Sequence, residues 1–279
     1  MKNYKTTLII FIICIFIVFL YDKIIFLFNF LYYIFTTKKK YDYIKYDYIK
    51  YDYIKYNDFI IIPKKIYLCC KNKEQIPLYV LDKWKKLNPN YLINLYDDNE
   101  CIAFLKKYYG PLYVDIFNYI EDGPIKADFW RVCILYKKGG VYSDIDIELL
   151  VPLDDFIVPN ISFLTCKANI YYVLNPHIII CKKNHFILKK CIEIYIHLYK
   201  NKIKYNYWCW SIVFIMTHVI NKYIKNIKND SINFDIYNNM YQILKENITT
   251  NPKNINCSYK NIKLLNNRYK TYDYIKHTF

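Results

Sequence analysis

Pro124-Ile-Lys-Ala-Asp-Phe-Trp-Arg-Val-Cys-Ile-Leu-Tyr-Lys-Lys-Gly-Gly-Val-Tyr-Ser-Asp-Ile-Asp-Ile-Glu148 reads as a helix, a glycine pair and then a strand. Asp122 stands where a side-chain cap is wanted, and Pro124 falls in the first turn, where a missing N–H costs nothing. From Ile125 to Tyr136 only Lys126, Asp128 and Arg131 are charged, so the helix is expected to be buried on most sides. Lys137 and Lys138 suit the negative end of the helix dipole, and Gly139 or Gly140 supplies the left-handed stop. Beyond the glycines the residues alternate: Val141, Ser143, Ile145 and Ile147 on one face of a strand, Tyr142, Asp144, Asp146 and Glu148 on the other.

Two features of this stretch ask for an explanation. Asp128 and Arg131, three apart, share a face of a helix with little other charge. Asp144 and Asp146 project from a strand end, roughly 6–7 Å apart along the backbone. Alone, the first is an ordinary buried ion pair and the second a solvated edge. Together, on a buried helix and the strand next to it in the chain, they read as a site. Adjacent carboxylates repel, and a divalent cation relieves the repulsion; hard oxygen ligands suit manganese or magnesium. A metal so placed neutralises a diphosphate leaving group.

Ala127-Asp128-x-x-Arg131, then Leu135-Tyr136-x-x-Gly139-Gly140-x-Tyr142-x-Asp144-x-Asp146, resembles the core of the Asp-x-Asp sugar transferases, a glycosyltransferase family 32-like group. That group includes the fungal initiating mannosyltransferases, the inositolphosphoceramide mannosyltransferases and, more distantly, the glucosylating clostridial toxins. The likeness runs from Ile62 to Asp155, about a third of the chain. It implies an α/β fold of the GT-A type, the nucleotide-diphospho-sugar transferase fold, with a mixed sheet flanked by helices. It implies retaining transfer with Asp144, Asp146 and Asp128 catalytic. Asp128, Arg131, Tyr142, Asp144 and Asn175 would hold the donor. A manganese or magnesium ion would sit on Asp146 and Asp144, with His277 closing over it from the C-terminal end. The implied roles are specific: Asp146 ligates the metal, Asp144 contacts sugar or ribose hydroxyls, and Asp128 holds sugar hydroxyls. Arg131 orients Asp128 or touches the donor. The implied partners are a nucleotide-diphosphate sugar and a glycan, lipid or protein acceptor. No general base is legible.

The chain departs from the group's pattern in two places. Tyr67-Leu68-Cys69-Cys70 stands where relatives carry a His-Gln-x-Trp type strand ending, and no Thr-Gly-Pro appears near Trp208–Phe214. A membrane-tethered protein of the same fold that binds a sugar nucleotide or glycan without turnover is therefore the alternative. Asn175-Pro176-His177 falls where the family has an Asn-containing loop, and a simple turn is the competing reading. Asn184-His185-Phe186 falls at the family's His-Pro-Phe helix start.

Composition narrows the classes further. The net charge of +16 comes from lysine, with only Arg131 and Arg268 as arginines, so a nucleic-acid surface is not expected. All four glycines, Gly110, Gly123, Gly139 and Gly140, fall within one short window. Ten cysteines occur with no Cys-x-x-Cys pair, so no zinc site is legible. The sequons at Asn160, Asn229, Asn247 and Asn256 are what so Asn-rich a chain carries by chance.

The chain divides into three regions. Residues 1–37 form an anchor: Leu8–Leu20 and Ile24–Phe35 are apolar, broken by Asp22 and Lys23, and one tilted span within Thr6–Phe35 is expected. This places the protein in a membrane, single-pass, in the secretory pathway or a host or viral membrane. The orientation stays open, since Lys38–Lys40 argue for a cytoplasmic C-terminal side and the resemblance for the opposite. Residues 38–58 are a spacer, three copies of Lys-Tyr-Asp-Tyr-Ile, whose period of five fits neither helix nor strand. Residues 59–279 are the transferase domain. It is expected to open with a strand over Phe59–Cys70, a helix from Pro77 to Leu87, a strand over Tyr91–Tyr96 and a helix capped by Asp97 or Asp98 through Tyr109. That succession argues for a mixed sheet with helices on both faces. Later, Phe163–Cys166 and Tyr171–Cys181 read as strands, Asn184–Lys200 and Tyr207–Lys225 as helices.

Overall fold

The chain begins its described structure with a strand at Lys65–Cys69 (β1), whose alternating side chains serve two different cores. Tyr67 packs on one face of the sheet, Ile66 and Leu68 on the other. The computed structural model describes residues 61–168, 173–247, 255–267 and 269. The anchor, the repeated spacer and His277 lie outside the described residues. Among the described residues no helix is long and apolar enough to cross a membrane.

After β1 come α1 (Leu78–Leu87), β2 (Leu92–Tyr96), α2 (Asp98–Tyr109), α3 (Pro111–Tyr119) and α4 (Gly123–Lys138). Next are β3 (Gly140–Ser143), β4 (Glu148–Leu149), β5 (Phe163–Lys167), β6 (Leu174–Cys181), α5 (Phe186–Lys200), α6 (Tyr207–Trp210) and α7 (Ile212–Tyr223). The chain closes with β7 (Ser231–Phe234), β8 (Met240–Asn247), β9 (Asn256–Tyr259) and β10 (Ile262–Asn266). The strands order as β2-β1-β3-β6-β5-β8-β9-β10-β4, with β7 on β8. Pairings β1–β2, β1–β3 and β5–β8 are parallel and the rest antiparallel, in agreement with the expected mixed α/β sheet.

Alternation sorts the core. Tyr142, Phe163, Ile179 and Ile243 face α2 to α5 and α7, while Val141, Leu164, Ile178, Ile180 and Leu244 face the side covered by Trp84 of α1. Of the two acids offered as caps, Asp97 is the one used, in a reciprocal capping box: Glu100 N donates to Asp97 Oδ1 at 2.9 Å, and Asp97 N donates to Glu100 Oε2 at 3.0 Å.

Several expectations need correction. The strand read through Glu148 stops at Ser143. There Ile147 N donates to the Asp144 carbonyl at 3.2 Å and closes a turn, so Ile145 and Asp146 do not alternate across a sheet. Short polar side chains favour such turns over a continued ladder. The Asp122 side chain does not cap α4. It accepts from the Tyr205 hydroxyl at 2.6 Å, while its carbonyl takes Lys126 N. The helix expected over Tyr207–Lys225 breaks at Ser211, which is extended and caps α7 by accepting from Val213 N at 3.2 Å. Finally, the sequence gives no warning of α3, opened by Pro111 at its first position, or of β7 to β10.

Candidate functional site

The break at Ser211 is what places Asp128. α4 is buried along nine of its residues, Asp128 and Arg131 among them. Its Asp128 meets the N-terminus of α7, where Ile212 N donates to Oδ2 at 3.0 Å. A carboxylate there satisfies an orphan amide and lies at the positive end of the helix dipole. Its other oxygen, Oδ1, lies 2.7 Å from Arg131 Nη2. Asp128 is 6% exposed, so both oxygens are committed to protein donors.

Arg131 is the hub. It is 4% exposed, and Nη2 also reaches Asp144 Oδ1 at 2.9 Å. Nη1 donates to the Pro176 carbonyl at 2.7 Å, and its guanidinium carbon lies 4.5 Å from the centre of the Tyr142 ring. The Tyr142 hydroxyl donates to the same Asp144 Oδ1 at 2.8 Å, with Cys69 Sγ 3.5 Å behind it. Asp144 N donates to the His177 carbonyl at 2.9 Å. So Asp144, with its side chain 29% exposed at the end of β3, is fixed through its backbone and one carboxylate oxygen.

That sharing sets the electrostatics. Burial pushes the Asp128 carboxyl up to about 6, against the lowering pull of Arg131 and the Ile212 amide. Arg131, although burial opposes its charge, is held above its ordinary value by Asp144, Tyr142 and Asp128. A simple ion pair would lower its acid. Here one guanidinium serves two carboxylates, so it returns to Asp128 less than burial removes. Burial holds the Tyr142 phenol far above its usual range, which keeps it a proton donor to Asp144.

Asp146 sits on the same turn, partly exposed, and its carbonyl accepts from Tyr269 N at 2.9 Å. Two partly exposed acids on one turn, Asp144 and Asp146, offer the hard oxygen ligands that fit a divalent ion of the manganese or magnesium kind.

The structure thus brings Asp128, Arg131, Tyr142 and Asp144 into one network and puts Asp146 on the turn that Asp144 opens. Asn175, next to the Pro176 that Arg131 holds, bonds elsewhere through its side chain: its Nδ2 donates to Glu246 Oε1 at 2.9 Å, and that oxygen also takes Asn267 Nδ2 at 2.8 Å. Ser211, Glu246 and Asn267 do not stand out in the sequence. Only Ser211 leaves a signal there, as a helix-capping residue type inside an apolar run.

Residues 77–163, which hold this network's Asp128, Arg131, Tyr142 and Asp144 together with Asp146, match the family model described as the glycosyltransferase sugar-binding region containing DXD motif. Among curated proteins, the chain is similar to the initiation-specific alpha-1,6-mannosyltransferase of Saccharomyces cerevisiae, 37% identical over 79 residues. The protein of that name from Candida albicans is 34% identical over 76 residues. These matches cover 28% and 26% of this chain and only 16% and 20% of the two relatives' own lengths. A solved structure, the PaToxG glycosyltransferase, is similar over 59% of this chain and 70% of its own, with 16% identity and a TM-score of 0.49.

Proposed function

We propose that this chain is a metal-dependent glycosyltransferase that moves a sugar, with retention, from a nucleotide-diphosphate donor to a glycan, lipid or protein acceptor at a membrane. The observation that carries the reading is the Arg131 network, which fixes Asp144 at the exposed end of β3 within the glycosyltransferase sugar-binding region. When bound on Asp144 and Asp146, a manganese or magnesium ion supplies the positive charge that stabilises the diphosphate as it leaves.

The chain's own residues do the rest. Asp144 presents to the donor the oxygen that Arg131 and Tyr142 do not hold. Arg131, buried and fully engaged, is a positioning residue, and Asp128 acts through it. The expected contact of Asp128 with sugar hydroxyls would require Oδ2 to release Ile212 N. Preorganisation of this kind leaves little to rearrange as charge develops at the leaving group.

Metal and nucleotide bound to one turn must bind cooperatively, since each screens the other's charge. Manganese plus a nucleoside diphosphate is therefore expected to raise the melting temperature by more than the sum of the separate shifts. Asp146→Asn should abolish that synergy and donor turnover together, with the fold intact. Asp154→Asn, which loses an exposed pair with Lys64 and a hydrogen bond from Tyr91, should change neither. A nucleotide-sugar screen read as donor hydrolysis supplies the donor. Synergy without hydrolysis of any donor would favour the non-catalytic binding protein, and turnover by Asp146→Asn in chelator would overturn the metal's role.

A further inference from the structure

Behind the turn that carries Asp144, three side chains converge that the proposed transfer does not use. Cys166 on β5, His177 on β6 and Cys257 on β9 are all buried, and their ligand atoms lie within 4.8 Å of one another. Cys257 Sγ stands 2.9 Å from Cys166 Sγ and 3.4 Å from His177 Nε2. The two thiols share an apolar cluster with Ile178, Ile180, Leu244 and Leu265. His177 Nδ1 is buried with no hydrogen-bond partner among the described residues. The ring nitrogen that faces the thiols is the other one, Nε2, and it is the atom this cluster would offer to a metal.

A break in the β5–β6 ladder puts the ring there. Thr165 pairs with Ile179 but Cys166 pairs with Asn175, so Pro176, His177 and Ile178 loop out as a bulge. Bulges re-aim side chains, and this one is tied down on every carbonyl. Pro176 O takes Arg131 Nη1 at 2.7 Å, His177 O takes Asp144 N at 2.9 Å, and Ile178 O takes Thr165 Oγ1 at 3.1 Å. The bulge therefore has two ends: its backbone holds the turn of the candidate active site, and its side chain reaches the cysteines.

We propose that Cys166, His177 and Cys257 form a buried structural site for a zinc-class divalent ion, separate from the hard-ligand site at Asp144 and Asp146. Two sulfurs and an imidazole are the donors such an ion prefers, and the two carboxylates are those that manganese or magnesium prefers, so the sites sort metals by softness. Asn267 brings a side-chain oxygen to 3.6 Å from Cys257 Sγ as the fourth donor. Loading costs each thiol its proton, released to solvent. With Zn–S bonds of about 2.3 Å in a tetrahedron, the sulfurs must part to about 3.8 Å, while the His177–Cys257 spacing already fits. A disulfide between the cysteines is the competing outcome; it would need a thiol-oxidising partner and would leave no thiolate to ligate a metal.

The test uses the full chain, purified under reducing conditions, loaded with zinc chloride and dialysed against a weak chelator. Elemental analysis is expected to find about one zinc per chain, retained in Asp146→Asn and in Cys191→Ser, a buried thiol of α5 outside the cluster. Cys257→Ser and His177→Ala should lose it. Because either variant can fail to fold, the wild-type protein decides. Cobalt substitution should give a thiolate-to-cobalt charge-transfer band with the intense visible absorption of tetrahedral coordination. Folded wild-type protein that keeps no zinc, or a weak octahedral cobalt spectrum, overturns the proposal. So does a Cys166–Cys257 disulfide in purified protein that takes up no zinc once reduced. None of these failures would touch the sugar-transfer reading, whose own test rests on manganese and nucleotide.

Discussion

Asp128 is an acid whose burial and pairing pull in opposite directions, and the balance has a sign that can be measured. Its folded-state value of about 6 lies above the ordinary 3.8, because burial outweighs its share of Arg131. The protonated form is therefore favoured by folding. That contribution is complete below about pH 4 and is lost as pH rises through about 6. Asp128→Asn removes the titration while keeping the shape and an acceptor oxygen for Ile212 N. The penalty of this substitution, measured by urea unfolding, is expected to shrink by on the order of 2 kcal/mol between about pH 4 and pH 7. Subtracting the variant's own profile removes acids such as Glu148, lowered in the fold by Lys83 and Asn266 against the effect of its burial. A constant penalty across the range would mean that Asp128 stays ionised throughout. The pairing of Asp128 with Arg131 is legible from their spacing alone. The hydrogen bond to Ile212 is not, because it depends on a helix break 84 residues away that hydrophobic periodicity smooths over.

Between α4 and β3 the chain reverses through two glycines that sit at positive φ, 63° for Gly139 and 106° for Gly140. Both are crowded: a Cβ on Gly139 would meet the Lys183 amide nitrogen at 2.6 Å. A Cβ on Gly140 would meet the Lys65 carbonyl of β1 at 2.6 Å and the Tyr67 ring at 3.3 Å. Gly140→Ala should therefore cost roughly 2–4 kcal/mol, from backbone strain and from pushing β1 off β3. Gly123→Ala is the control: nothing lies within 4 Å of its Cβ, and the position opens a helix. It should be neutral or stabilise by up to about 1 kcal/mol. Equal melting temperatures for the two variants would show that the β1–β3 contact yields freely. The helix–glycine–strand unit is readable from sequence because a long, nearly uncharged apolar run, two lysines and two glycines all point the same way. The length of β3 is not, since alternation in sequence continues past Ser143 where the ladder does not. β7 to β10 leave almost no trace, being short strands written in the same Asn, Lys, Ile and Tyr as the loops between them.

Across the described residues, the sheet carries two cores, one under α2 to α5 and α7 and one under α1, and β1, β3, β5, β6 and β8 serve both. Long-range closure is where the sequence is least readable. β4 comes directly after β3 in the chain yet pairs with β10, through Leu149 with Leu265 and Glu148 with Asn266. The same closure brings Cys257 to Cys166 across 91 positions, which no local spacing announces. Membrane attachment belongs to this scale too. The proposed anchor lies in residues 1–37, ahead of the strands that fill the two cores. Among the described residues no helix is long and apolar enough to cross a membrane. Deleting residues 1–35 should therefore do two separable things. The truncated protein should leave the carbonate-washed membrane pellet for the soluble fraction. It should also keep a single cooperative melting transition and the added shift produced by manganese with a nucleoside diphosphate. Continued carbonate-resistant association would place the membrane contact in the domain itself. Loss of the metal–nucleotide shift from a soluble, cooperatively melting protein would instead mean that the first 35 residues take part in the donor site.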